Sequence, residues 1–186
     1  MSNTSKKMKG IIASICFISV LSGCHTISKV SDNSADLNQS GKSIAVNDTT
    51  SGVTGIGGIF FYSENPQKTK EWYGQNLGII TDQYGSVFES RNANKPEEIN
   101  YLVWSPFKKG NEYFKPSSKE FMINYRVRNI EGLVDKLRKN GVQVLDSIST
   151  YDYGKFVHIL DNEGTKIELW EPVDSELTKL GGKTNK

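Results

Sequence analysis

The chain has 186 residues, 23 Lys and Arg against 21 Asp and Glu, and a formal net charge of +2. That length holds one domain with a proper core and is too short for two comfortable ones. The near-balanced charge excludes a strongly basic nucleic-acid-binding protein, and Cys16 and Cys24 alone cannot build a disulfide framework.

Met1 to Gly10 carries Lys6, Lys7 and Lys9 and no acid. Ile11 to Leu21 is an apolar run of 11 residues, too short to cross a bilayer and suited to a signal-peptide core. It ends in Leu21-Ser22-Gly23-Cys24, which resembles the lipobox of a bacterial lipoprotein. The resemblance implies removal of residues 1–23 and a Cys24 amino terminus that carries acyl chains, palmitate among them, with the lipid bilayer as partner. Cys16 leaves with the signal, so no disulfide or cysteine metal site remains within one mature chain. Loss of three lysines takes the formal charge from +2 to about −1, which gives no case for nucleic acid. The expected location is the bacterial cell envelope. His25, standing where inner-membrane retention uses aspartate, favours the outer membrane in a Gram-negative host. Residues 24–55 are rich in Ser, Asn, Thr, Asp and Gly without apolar periodicity. They read as a flexible tether with a reach on the order of 30 Å.

From Gly55 onward the punctuation occurs twice. Ile59-Phe60-Phe61-Tyr62 is a β-rich run, followed by Asn65-Pro66 as cap and first helical residue, then a helix through Trp72 and Leu77 to Gly78. Phe121 to Val127 is a second such strand, with Asn129 as cap. Ile130, Leu133, Val134 and Leu137 then fall at i, i+3, i+4 and i+7, and Gly141 stops the helix. Three strand candidates follow each helix: Ile79–Tyr84, Ser86–Ser90 and Ile99–Trp104, then Val142–Ile148, Phe156–Leu160 and Thr165–Trp170. The expected class is α+β, with two tandem βαβββ modules over residues 56–173. Residues 174–186 read as a disordered polar tail.

This arrangement resembles the vicinal oxygen chelate superfamily of glyoxalases, bleomycin-resistance proteins and extradiol dioxygenases. The likeness is carried by Asn65-Pro66 through Leu77-Gly78-Ile79, by Tyr125-Arg126-Val127 through Gly141-Val142, and by Phe156 to Pro172 with its Ile167-Glu168-Leu169 ending. The resemblance implies that the two modules form a cupped, mixed, eight-stranded sheet with helices on its outer face, with a ligand in the cup and, in its metal enzymes, two or three His, Glu or Gln ligands plus a glutamate. Here those positions fall at Gly58, at Met122 or Asn124, at Leu102 or Trp104, and at Glu168, of which only Glu168 matches. No cofactor is therefore expected, and a divalent metal is disfavoured.

Two-residue periodicity places Phe60 with Tyr62, Asn124 with Arg126, Phe156 with His158, and Glu168 with Trp170. Family register points these faces into the cup. A hairpin turn at Glu163 makes partners sum to 326, so His158 opposes Glu168. That pair is the candidate catalytic or structural pair, Arg126 a candidate for a ligand carboxylate or phosphate, and Phe60, Tyr62, Asn124 and Trp170 candidate ligand contacts. Trp104 to Pro116, with the four aromatics Trp104, Phe107, Tyr113 and Phe114, reads as edge cover or dimer packing, with a lid as the alternative.

Three functional readings stand. The leading one is a membrane-anchored, homodimeric protein that binds a small molecule without metal. The alternatives are an enzyme, a lyase, isomerase or dioxygenase-like protein using His158 and Glu168, and an interaction lipoprotein with a vestigial cup. The lipobox generates its own test. Cys24→Ser should release the chain from a salt-washed membrane fraction or block its maturation, read by fractionation and immunoblot. Equal membrane retention of both forms would contradict lipidation.

Overall fold

The computed structural model describes residues 50–92 and 95–186. The expected signal peptide, Cys24 and the tether up to residue 49 lie outside the described residues. In chain order the elements are β1 (Gly52–Ser63), α1 (Pro66–Leu77), β2 (Ser86–Arg91), β3 (Ile99–Lys108), a 3-10 turn (Glu112–Phe114), β4 (Phe121–Arg128), α2 (Ile130–Lys139), β5 (Ser149–Tyr151), β6 (Gly154–Leu160), β7 (Lys166–Pro172) and α3 (Asp174–Leu180). The strands make one mixed sheet in the order β2-β3-β1-β4-β7-β6-β5. The α+β class holds.

The two long helices start and stop on side chains legible in the sequence. Asn65 Oδ1 accepts the Lys68 amide at 3.1 Å, with Pro66 at the first helical position, and Gly78 closes α1 at φ +70°. Asn129 Oδ1 accepts the Gly132 amide at 3.1 Å to start α2. The apolar stripe of α2 buries Ile130, Leu133 and Val134 against Val127, Val157, Ile159 and Leu169 on the outer face of β4, β7 and β6. α1 covers the other half through Tyr73, whose ring lies 4.7 Å from that of Trp104.

Four expectations are corrected. Seven strands form instead of eight, because Ile79–Tyr84 is a loop with a single bridge, Thr81 to Ser86. Its carbonyls at Asp82 and Gln83 are taken by Lys70 Nζ at 3.0 and 2.6 Å, and its Ile80 amide by Asn185 Oδ1 at 2.9 Å. In the second half, Val142–Ile148 pairs only at Val144 with Ile159, and β5 begins later. There the Asp146 carboxylate, rather than a backbone carbonyl, accepts the His158 amide at 2.8 Å and interrupts the ladder. The domain also begins before residue 56, since Gly52 to Gly55 pair with Arg128 to Arg126. A glycine-containing strand gives little periodic signal while its backbone pairs as well as any other. Last, residues 174–186 are not a disordered tail. They hold α3, which lies on the inner face of the sheet, and a β2 contact in which Asn185 and Val87 or Glu89 exchange backbone hydrogen bonds at 2.9 and 2.8 Å.

The two halves meet at the antiparallel pairing of β1 with β4, where Gly58 opposes Asn124 and Phe60 opposes Met122. The register shifts between Ile56 and Gly58, making Gly57 the extra residue of a bulge. A Cβ at Gly57 would overlap Asn124 Oδ1 and stand 2.7 Å from Trp170 Cε3. Gly57→Ala should therefore cost about 1–3 kcal/mol by overpacking. Thermal unfolding followed by circular dichroism should show a Tm lower by roughly 3–10 °C.

Candidate functional site

The inner face divides into a filled end, a polar centre and an apolar cavity. At the filled end, the 3-10 turn folds back over the sheet. Phe114 is fully buried among Phe60, Phe107 and Met122, and Tyr62 stacks on it at 4.3 Å. Tyr62 Oη donates to the Asn111 carbonyl at 2.5 Å. The segment from Trp104 to Pro116 is thus neither edge cover nor an open lid: Trp104 to Phe107 continue β3, and Tyr113 and Phe114 plug the sheet. Phe60 and Tyr62, expected to meet a ligand, meet this plug.

The polar centre assembles around the expected hairpin pair. β6 and β7 set His158 opposite Glu168, and β4 sets Asn124 beside Glu168. His158 Nε2 lies 3.0 Å from Glu168 Oε2, and Nδ1 lies 2.6 Å from Asp146 Oδ2. Tyr113 Oη donates to Glu168 Oε2, and Asn124 Nδ2 donates to Oε1 at 2.5 Å. Lys166 Nζ donates to the Tyr113 carbonyl at 2.7 Å and sits over the Tyr113 ring. Asn124 Oδ1 is buried without a partner, because turning the amide would face oxygen to the carboxylate.

The two carboxylates are balanced in charge by the Lys166 ammonium and by His158 when both its ring nitrogens are protonated. Burial pulls the His158 pKa down, but its hydrogen bonds to the Asp146 and Glu168 carboxylates outweigh it and hold the value above that of an ordinary histidine. Burial pushes the Glu168 carboxyl up, and the His158, Tyr113 and Asn124 contacts bring it below the usual range. Asp146 is likewise lowered, its own burial being outweighed by His158. A doubly protonated imidazolium donates to both carboxylates and leaves neither ring nitrogen free to take a proton from a ligand.

The fold type raises the question of a divalent metal at the positions equivalent to Gly58, Asn124 and Glu168. The residues do not fit one. Both Glu168 oxygens are already engaged, Asn124 spends its donor on them, and the Phe60 ring stands 2.8 Å from where a Gly58 Cβ would be. Among the described residues, no three His, Cys, Asp or Glu side chains are grouped to hold a metal ion.

The cavity, about 230 Å³, lies at the β2–β3 end. Val87, Tyr101, Val103 and Trp170 form its floor, and Leu177 and Leu180 of α3 its roof. Glu89, Thr184 and Lys186 supply polar groups at its margin. Of the expected ligand contacts only Trp170 lines it, stacked on Phe156 at 5.7 Å. Arg126 lies beneath, its guanidinium 5.2 Å from the Trp170 ring, and its anion is internal: Asp174 Oδ2 at 2.5 Å. Sequence reasoning missed Asp146, Tyr113 and the whole roof. The i, i+3 spacing of Leu177 and Leu180 was the available signal for the roof.

With this geometry in view, the domain is one of the vicinal oxygen chelate type in its fold. No protein-family model matches the chain. A Streptomyces coelicolor methylmalonyl-CoA epimerase variant, solved with 2-nitronate-propionyl-CoA, aligns at TM-score 0.50 and 13% identity over 66% of this chain and 96% of that one. A glyoxalase/bleomycin resistance protein/dioxygenase superfamily member from Vibrio splendidus 12B01 aligns at TM-score 0.41 and 10% identity, over 62% and 97% of the two chains. In sequence, the uncharacterized protein YetH of Bacillus subtilis is 28% identical over 121 residues, 62% of this chain and 97% of that protein.

The charge cluster predicts a pH profile. Because the folded His158 pKa is raised, its stabilisation is full below the unfolded value of about 6.5 and is lost as pH rises through the folded value. The lowered Asp146 and Glu168 values act oppositely: their contribution is present above about 4 and is lost as pH falls through the folded values. Tm should therefore peak between roughly pH 4.5 and 6.5, and His158→Gln should flatten the alkaline limb in a fluorimetric melt series. Glu168→Gln should move the His158 titration, followed by NMR, to lower pH. An unmoved titration would contradict the cluster.

Proposed function

We propose that the protein binds a small, mainly apolar molecule in the cavity between the β2–β3 sheet end and α3, without a metal. The observation that carries this reading is the cavity itself, with aliphatic and aromatic walls and only a few polar groups at its margin. Its volume of about 230 Å³ is below the roughly 300–1,000 Å³ of drug-sized sites, so the ligand is small. The His158–Glu168 cluster then serves to hold the Tyr113 plug rather than to act on the ligand. The lipobox supports a further part of the proposal, that a lipid on Cys24 holds this binding domain near a bacterial envelope membrane.

The test uses 1-octanol as probe and the methyl NMR signals of Val87, Val103, Leu177 and Leu180. A buried methylene contributes about 0.8 kcal/mol, so burying about five carbons of the chain gives a Kd on the order of 1 mM. Saturable shifts confined to these methyls are expected, and Val103→Phe should remove them while the fold persists. Shifts scattered over the surface, or unaltered in Val103→Phe, would refute the reading.

A further inference from the structure

Arg126 is an unusual neighbour for an apolar cavity. Its guanidinium is buried at 5% exposure, below Trp170, with Nη1 3.3 Å from the Tyr101 carbonyl and Nη2 3.1 Å from Asn100 Oδ1. Tyr101 and Trp170 are both floor residues of the cavity. A buried guanidinium requires a counter-charge. Here Asp174 provides it, from the first residue of α3.

Asp174 satisfies Arg126 incompletely. Only Oδ2 reaches the guanidinium, while Oδ1 is buried and makes no hydrogen bond. A guanidinium fork matches both oxygens of a carboxylate when the carboxylate is free to align.

The segment bearing Asp174 is also lightly held. α3 has seven residues, none of them buried, and its preceding residue Val173 makes no side-chain cap. A 2.9 Å hydrogen bond between the Thr178 and Tyr101 hydroxyls also ties it to the sheet. Beyond it, Gly181 and Gly182 both have positive φ, at 61° and 137°. Next come Thr184, bonded to Glu89 at 2.5 Å, and Asn185, paired with β2. The helix is thus a short roof tied at its start to the end of β7, where the Val173 amide donates to the Tyr153 carbonyl at 3.1 Å, and at its far end to β2 beyond two glycines, with the Arg126–Asp174 ion pair between.

We propose that Arg126 is the anion receptor of the cavity, that Asp174 occupies it in place of a ligand, and that the ligand is a small apolar monocarboxylate. The ligand's carboxylate takes the guanidinium, its hydrocarbon part lies over Trp170, Tyr101 and Val103, and α3, its ion pair released, loosens between Val173 and Gly181. This rests on the cavity reading above and adds the ligand's charge and the moving part.

The experiment compares sodium octanoate with 1-octanol, which share a chain length and differ in charge, on the purified full-length protein by calorimetry and methyl NMR. Octanoate should bind at least about tenfold more tightly. Arg126→Gln should erase that preference, and Asp174→Asn should tighten octanoate by about threefold to tenfold, because the internal competitor is gone. Amide exchange across Asp174–Leu180 should accelerate with octanoate. Equal binding of both probes, unchanged by either substitution, would overturn the carboxylate proposal and leave the cavity reading intact. Absence of cavity shifts with both probes would overturn both. If Arg126→Gln fails to fold, the Asp174→Asn and exchange measurements decide: no tightening and no acceleration refute the proposal.

Discussion

Glu168 is a carboxylate at 1% exposure, and the inner face is organised by the need to satisfy it. A buried charge without partners would cost several kcal/mol, and removing one partner of a buried pair costs about 3–5 kcal/mol. Three side chains from three places in the chain answer this need: Asn124 on β4, His158 on β6 and Tyr113 on the turn. Each partner brings structure with it. Asn124 presses against Gly57 and ties β7 to the β1–β4 seam. His158 draws in Asp146 and so ends the pairing of the 142–148 segment. Tyr113 brings Phe114, and Phe114 fills the space that a ligand would use at that end.

The consequence is an inner face whose chemistry is separated by depth and position. Charge is concentrated where it is balanced and enclosed, and open space is concentrated where the walls are apolar. Aromatic packing enforces the separation. Trp170 stacks on Phe156 on one side and covers the Arg126 guanidinium on the other, so it borders both regions. Gly57 and Gly58 permit this arrangement by leaving room above β1 for Trp170, Asn124 and Phe60. Side chains there would prop the layer open.

The final segment completes the partition. Its polar residues face solvent or make the few latches, and Leu177 and Leu180 close the cavity. Asp174 supplies the charge that makes a buried Arg126 tolerable.

Much of the architecture was legible in the sequence because it depends on local physics. Asn65, Asn129, Gly78 and Gly141 mark helix ends through contacts within one or two turns, and the α2 stripe marks its buried face by period alone. The turn at Asp161 to Gly164 sets the register that puts His158 against Glu168, and Asp161 Oδ1 accepts the amides of Glu163 and Thr165 at 2.8 Å to fix it. Two-residue alternation also assigned Phe60, Tyr62, Asn124, Arg126 and Trp170 to one face. What each side chain meets on that face was decided only by tertiary structure. Tyr113 and Asp146 reach Glu168 and His158 across 55 and 12 residues, and Asp174 reaches Arg126 across 48. No periodicity encodes those distances, because a loop or tail is free to pack wherever burial and charge together are best satisfied. The sequence determined which residues face inward; long-range packing decided that half of that face is filled and that the remainder is a roofed cavity.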